Sequence, residues 1–466
     1  MIVCKFGGSS LADAEQIKKS CAIILDDCER KIMVVSAPGV RKNVLPDIKM
    51  TDLLIALVHE RESGYDGTKE RKALAERIQG IAYGLTLPSC VANDLIDKLD
   101  TASAGIDAQD SSSKECVLAM GELISAHLVA AYFNIIGVDA CVLDPRDAGL
   151  VLSYRSGITE ILPETYDNLA HLALTQSIIV FPGFFGRTPN GDTITFSRGG
   201  SDITGAILAA STKARLYENW TDRDSVLAVN PELVEHALPL REMSYREMRE
   251  LAYIGFSIIH PEALEPVIRT GIPIHIRNTN DPLATGTHIV AERTHIDGVL
   301  TGIAAADHFC TINLRRVLIN QEIGILSRIL SIFSELGINV HHVPTGIDSV
   351  SVVVKEDHFP LERELVLRHR LNSELGFDQV TVVRQLSIVM LVGEGMRDTV
   401  GVMSRATTAM AKEQISIEMV LLDYFEISML FMMRHYEKQR AVLALYREFF
   451  ENAHHLDASV PDHVTI

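Results

Sequence analysis

Met1-Ile2-Val3-Cys4-Lys5-Phe6-Gly7-Gly8-Ser9-Ser10 reads as a short apolar strand that ends on a lysine and breaks into a Gly-Gly turn. Ala12 to Asp26 follows as a helix, with Ile17, Cys21 and Ile24 on one face. The same alternation then recurs. Lys31 to Ser36 is a strand stopped by Pro38-Gly39, and Gly121 to Phe133 is helical. Ser177 to Phe181 is a strand stopped by Pro182-Gly183, and Asp202 to Ser211 is an Ala- and Leu-rich helix. Arg41 to Lys49 is a polar loop. This order predicts an α/β fold over residues 1–295, a mostly parallel sheet covered by helices.

The last third follows a different rule. Gly324-Ile325-Leu326 matches Gly401-Val402-Met403 at an offset of 77 residues. Ile338-Asn339-Val340 matches Ile415-Ser416-Ile417 at the same offset, and Val350, Val352 and Val354 match Ile427, Met429 and Phe431. A helix follows each glycine, with Ile325, Ile329, Ile332 and Leu336 on one face in the first copy and Val402, Ala406, Ala409 and Met410 in the second. Three features at one offset predict two α+β modules, over residues 296–385 and 386–466.

Composition narrows the partners. The chain has 466 residues, 47% of them apolar and 22% charged, enough for several domains with full cores. Its net charge of −18 opposes nucleic acid and anionic membrane surfaces. Seven scattered cysteines predict reduced thiols in a cytoplasmic protein. Lys5 interrupts any secretory apolar core, and no run of about 20 apolar residues predicts a transmembrane helix.

Against that negative field, an anionic ligand needs local cations and backbone N–H donors. Lys5 with Gly7, Gly8 and Ser9 supplies them at one strand end. The lysine precedes the glycines, so this is not a Walker A loop. Ser197-Arg198-Gly199-Gly200-Ser201-Asp202 is the second such segment. Arg198 suits a carboxylate, while Asp202 orients Lys5, holds a metal-bridged phosphate or serves as a helix N-cap. Glu122, at the head of its helix, is a candidate for an ammonium or a solvated first-turn acid.

These segments stand in a recognisable order with Ser36-Ala37-Pro38-Gly39, Thr51-Asp52-Leu53-Leu54, Asn219-Trp220-Thr221-Asp222 and Gly255-Phe256-Ser257-Ile258-Ile259-His260. The chain resembles the aspartokinases over nearly its whole length, in the monofunctional form with tandem C-terminal ACT modules. The resemblance implies the amino acid kinase fold, and ATP with Mg²⁺ as phosphoryl donor. It implies phosphorylation of the L-aspartate β-carboxylate to 4-phospho-L-aspartate, the first step toward lysine, threonine and methionine. Lys5, Gly7, Gly8 and Asp202 would be catalytic. Thr51, Glu122, Arg198 and Ser201 would bind aspartate, with Arg198 on the α-carboxylate and Glu122 on the α-amino group. Ser9, Thr221, Asp222, Leu227, Glu232 and Ser257 would face the nucleotide. Gln321, Ile323, Gly324, Ile325, Leu326, Asn339, Val340 and His341 would hold an amino-acid effector, lysine or threonine. The resemblance also implies a homodimer or tetramer through the ACT modules, with residues 300–306 as a strand of the second module. No resident metal site is expected.

The chain departs from the family pattern on the nucleotide side. Glu232 stands where an arginine is expected, Val226-Leu227 where an aromatic is expected, and Ser257 where lysine is common. A weaker grip on ATP is therefore expected. His341 replaces an effector-binding carboxylate, and Leu422-Asp423-Tyr424-Phe425-Glu426 replaces a Gly-Ser-Ser-Glu turn. Two alternatives stand beside the leading reading: a catalytically weak amino-acid sensor, and a kinase of the same fold acting on glutamate, acetylglutamate or carbamate.

Overall fold

The computed structural model describes residues 1–42, 44–107, 110–155, 158–197, 199–256, 259, 264–296, 298–422 and 427–451. Two compact units divide them. The first takes Met1–Val226, Pro239–Ala252 and Ser257–Thr294, and the second takes Leu227–Leu238, Tyr253–Phe256 and His295–Ile466.

The first unit is built on an eight-stranded sheet: β1 (Ile2–Phe6), β2 (Arg30–Val35), β3 (Ala140–Val142), β4 (Ile178–Pro182), β5 (Leu216–Thr221), β6 (Glu242–Ser244), β7 (Ile274–Asn278) and β8 (Thr287–Val290). Their order is β6-β8-β7-β5-β1-β2-β4-β3, parallel except for the β7–β8 pair. β1 and β2 are buried almost throughout, as expected of central parallel strands covered on both faces. Lys5 lies inside β1 rather than beyond it.

The helices are longer and more numerous than the glycine punctuation indicates. α1 (Ala14–Asp26) is capped by the Asp13 carboxylate, which accepts the Gln16 N–H. Helices Met50–Glu62, Thr68–Gly84 and Ser89–Ala104 pack with α2 (Ser111–Ile135). α2 begins at Ser111, not Gly121, so Glu122 is mid-helix and the first-turn reading of it is corrected. Against expectation, α2 is long and apolar enough to cross a membrane. It serves instead as the central helix of the unit, with Val117, Ile124, Leu128 and Phe133 fully buried.

One polar network lies inside this core. Arg30 binds Glu218 through two N–H groups at 2.8 and 3.1 Å, and Arg277 reaches the same carboxylate at 3.2 Å. Trp220 Nε1 donates to it at 3.0 Å, and both guanidinium groups lie against the Trp220 ring. The carboxylate is thus shared between two cations, which is what a buried ionised acid requires.

The second unit holds a six-stranded sheet of β9 (Gly302–Arg315), β10 (Val340–His342), β11 (Ser349–Lys355), β12 (Gln379–Val392), β13 (Met419–Leu422) and β14 (Ser428–Arg434). The order is β10-β11-β9-β12-β14-β13. β9 and β12 run through both modules. Gly302–Ala306 pairs with Ile388–Val392, whereas Phe309–Arg315 pairs with β11 and with residues 379–386. Helices Ile325–Glu335 and Leu361–Leu375 cover one module core, and Val402–Lys412 and Lys438–Tyr446 cover the other. Val229, Val234 and Ala237 complete the second core, where Ile303 N–H donates to the Ala228 carbonyl at 2.7 Å. The seven cysteines are free thiols.

Candidate active site

The carboxyl ends of β1 and β5 lie side by side, with Lys5 in register with Asn219 and Phe6 with Trp220. In an open parallel sheet this is the edge where ligands bind. Alternation along β5 turns Asn219 to one face while Glu218 and Trp220 join the buried network on the other.

Lys5 Nζ sits 2.5 Å from Asp202 Oδ1 and 3.5 Å from Asn219 Oδ1. Asn219 Nδ2 donates to the same Asp202 oxygen at 2.9 Å. Asp202 stands in the first turn of α3 (Gly200–Ser211), whose N-cap is Gly199, so the N-cap reading of Asp202 is corrected. The Asp202 carboxylate holds Lys5 at the N-terminus of α3, where the Asp202 and Ile203 N–H groups both bond the Gly199 carbonyl. Gly199 has φ of 61°, a conformation glycine adopts without strain. A side chain on Gly200 would come within 2.7 Å of the Phe184 backbone.

Gly7 and Gly8 are glycines for different reasons. A Cβ on Gly8 would lie 2.8 Å from the Ala37 carbonyl oxygen, so the backbone there packs directly on the Ala37-Pro38-Gly39 turn. Gly39 N–H donates to the Gly8 carbonyl at 2.8 Å and fixes that contact. A Cβ on Gly7 would meet only ordinary contacts, 3.6 Å to the Trp220 oxygen and 3.8 Å to Lys5 Nζ. Packing does not require a glycine at position 7. Its bare backbone leaves open space beside the Lys5 ammonium. Ser9 follows in a one-turn 3₁₀ helix, Gly8–Leu11.

Glu122 reaches the other side of the same turn. A Cβ on its neighbour Gly121 would fall 2.8 Å from the Ala37 side chain, so α2 lies hard against Ala37. The Glu122 carboxyl is buried, and burial pushes it up to about 8 against the pull of the Ala37 N–H and its own backbone N–H. Its Oε2 has no hydrogen-bond partner. A buried, unpartnered carboxylate oxygen is suited to a cation supplied by a ligand. Thr51 is the second residue of the helix Met50–Glu62, whose first N–H bonds the Pro38 carbonyl at 3.1 Å. Ser201 is buried in the first turn of α3. Arg198 lies outside the described residues.

Thr221 closes β5, with Asp222 exposed beyond it. Thr279 N–H bonds the Thr221 carbonyl at 2.8 Å, and Thr279 Oγ1 meets Ser10 Oγ at 2.8 Å, tying this end of β5 to the glycine turn. Among the described residues no three His, Cys, Asp or Glu side chains converge as metal ligands.

Residues 1–278 match the model of the amino acid kinase family, and residues 389–449 that of the ACT domain. Aspartokinase 3 of Bacillus subtilis (strain 168) is 43% identical over 97% of this chain and 99% of its own length. The chain belongs to the aspartokinase family. Clostridium acetobutylicum aspartate kinase, at 33% identity, superposes with a TM-score of 0.84 over 96% of this chain and 100% of its own. E. coli aspartokinase III, solved in complex with aspartate and ADP, shares the fold with a TM-score of 0.79 at 24% identity, over 97% of this chain and 100% of its own.

The remaining candidates belong to the second unit or lie outside the described residues. Leu227 packs against the core of the second unit, and Glu232 is exposed in that unit with its N–H on Asn230 Oδ1. Ser257 and Asp423 to Glu426 lie outside the described residues. Ile323 is 98% exposed, Gly324 has φ of 78°, and Gln321, Leu326 and Asn339 are exposed near it in sequence. Ile325 points into the module core, and Val340 packs against that core. His341 is half-buried, and its Nδ1 lies 2.8 Å from the Tyr253 hydroxyl. Asn219 was not singled out as a Lys5 partner by the sequence reading. Its place one strand over, in the phase that faces Lys5, was the available signal.

Proposed function

We propose that this aspartokinase transfers the γ-phosphoryl group of ATP to the β-carboxylate of L-aspartate, giving 4-phospho-L-aspartate and ADP. The observation that carries the reading is the pairing of two sites across the Ala37 turn. Lys5, held by Asp202 and Asn219 beside the open Gly7, is suited to the phosphoryl group. Glu122, buried with one oxygen unpartnered, is suited to the α-ammonium of aspartate. An aspartate β-carboxylate oxygen attacks the γ-phosphorus, and the bond to the β-phosphate oxygen breaks in line with it. The nucleophile is already ionised at neutral pH, so no general base is needed. Charge neutralisation by Lys5 and the α3 N-terminus, together with positioning, does the work.

ATP enters as its Mg²⁺ complex; the nucleotide part of this reading is supported by the ADP in E. coli aspartokinase III. Thr221, Asp222 and Ser9 line the nucleotide side, and Arg198 with Thr51 and Ser201 the aspartate side. The ACT modules take an amino-acid effector, lysine or threonine. Two copies pair through the exposed edges of the six-stranded sheet, β10 and β13, which would otherwise present unpaired backbone groups. We place the enzyme in the cytoplasm. ADP release measured with MgATP and L-aspartate tests the activity. Release must require aspartate, and glutamate must not replace it. Absence of aspartate-dependent release overturns the reading.

A further inference from the structure

Arg77 stands on the buried face of its helix. In Thr68–Gly84 the buried positions are Leu74, Arg77, Ile78, Ile81 and Ala82, the spacing of an apolar stripe that meets a core. Arg77 fills one of these positions and is 3% exposed. A leucine would bring no charge out of water, so a guanidinium there needs partners of its own.

Those partners are backbone carbonyls. One terminal nitrogen donates to the Ile48 carbonyl. The other donates to the Gly39 carbonyl and, at 3.4 Å, to that of Ala12. The Asp47 carboxylate lies 3.9 Å away and is engaged by Arg41, whose backbone N–H and Nε donate to it at 2.7 and 3.1 Å. Arg77 therefore acts mainly as a clamp on the main chain rather than as half of an ion pair.

The three carbonyls belong to three segments, and each leads into the site. Ala12 closes the 3₁₀ turn Gly8–Leu11. Gly39 is the residue whose N–H holds the Gly8 carbonyl, at the turn against which Gly8 and Gly121 both pack. Ile48 stands two residues before Met50, whose N–H bonds the Pro38 carbonyl, and three before Thr51. A planar guanidinium offers five N–H groups in fixed directions and can tie all three, whereas a lysine ammonium is one point on a flexible stem. We propose that Arg77 is a positioning residue for phosphoryl transfer, fixing the Gly7-Gly8 turn and the start of the Thr51 helix in one frame. The kinetic arm of its test rests on the phosphotransferase reading above; the exchange arm does not.

Aspartate-dependent ADP release by the full-length protein is compared for the parent, Arg77→Ala and Arg77→Lys. Hydrogen exchange of the Gly39 and Met50 N–H groups is read alongside. Arg77→Ala is expected to lose about 10- to 100-fold in kcat, the cost of misplacing reacting groups by about an ångström, and to raise the KM for aspartate. Both N–H groups should exchange faster than in the parent. Guanidinium chloride at about 20 mM, far below denaturing concentration, should refill the vacated space and restore kcat, while methylammonium chloride should not. Arg77→Lys keeps the charge and should stay impaired. Lost stability alone does not give this pattern, because guanidinium weakens folds rather than mending them. If thermal unfolding shows that Arg77→Ala is not folded, Arg77→Lys carries both arms. A kcat within about twofold of the parent in a folded variant overturns the proposal, as does an Arg77→Ala defect that guanidinium leaves unchanged. A parent that releases no ADP sinks the phosphotransferase reading instead, and unchanged exchange at Gly39 and Met50 then overturns the clamp separately.

Discussion

Lys5 has three N–H bonds to donate, and Asp202 and Asn219 receive two. On the proposed reading the third meets a phosphate oxygen. Lys5→Met is expected to lower kcat by about 10²–10³-fold, the usual cost of losing one preorganised donor to a developing anion. Asp202→Asn should fall by a similar factor, and the double variant by little more than either, because the pair acts as one device. Steady-state kinetics of the three variants measures this. Glu122 carries a pH signature. Its carboxyl is raised to about 8, so the folded protein keeps a proton that the unfolded chain has released. Stability from this group is intact below the ordinary carboxylate range and is lost as pH rises through the window up to about 8. Glu122→Gln removes the loss. Its Tm should exceed that of the parent by a margin that grows from pH 5 to pH 8, while its KM for aspartate rises at least tenfold. Equal Tm values at pH 8 would count against a buried, unpaired carboxyl. Lys5, Asp202 and Glu122 were legible in the sequence as residue types at glycine turns. The Glu122 environment was not, because its helix starts a full ten residues earlier than the glycine suggested, without any Gly or Pro to mark the difference.

At the scale of elements, the β1–α1 turn holds two neighbouring glycines with opposite duties. Gly8→Ala forces a methyl into the Ala37 carbonyl, and overpacking of this kind costs about 1–3 kcal/mol. Gly7→Ala meets no such obstacle and should unfold at the temperature of the parent, yet crowd the space beside Lys5. Its defect should appear in kcat and in the KM for ATP. Equal Tm losses for the two variants would refute the distinction. The Arg30–Glu218–Arg277 network sits on the opposite face of the same strands. Glu218→Gln leaves two guanidinium groups without their acid, and breaking a buried pair costs about 3–5 kcal/mol. Urea unfolding reads that loss. Strand order explains why this network escaped the sequence reading. Arg30, Glu218 and Arg277 come from three strands, β2, β5 and β7, brought within reach of one another only by the crossovers of the parallel sheet, whereas the 77-residue repeat, being periodic along the chain, was visible directly.

Across the whole molecule, the chain passes repeatedly between two units. Thr221 and Asp222 belong to the first, and the segment that follows, Leu227–Leu238, is built into the second module core. Tyr253–Phe256 again belongs to the second unit and runs directly into Ser257. By connectivity alone, the nucleotide-side candidates Thr221, Asp222 and Ser257 are tethered to the regulatory unit, whereas Lys5 and Glu122 are not. Inhibition by lysine or threonine is therefore expected to raise the KM for ATP more than that for aspartate. A bisubstrate titration with each amino acid decides this, and a change confined to aspartate would refute it. Such exchange of segments has no periodic or local signature, which is why the boundary at residue 295 was read as simple.

The division of β9 also has a consequence for synthesis. Gly302–Ala306 leaves the ribosome before the module that follows it, yet its partner Ile388–Val392 emerges only after that module is complete. The intervening chain can close on itself meanwhile, since Phe309 to Val383 brings its own strands and helices. At elongation rates of about 5–20 residues per second, the waiting strand stays unpaired for on the order of ten seconds. Nascent chains stalled just short of Ile388 would expose that strand to chaperones, and release of the stall would withdraw it.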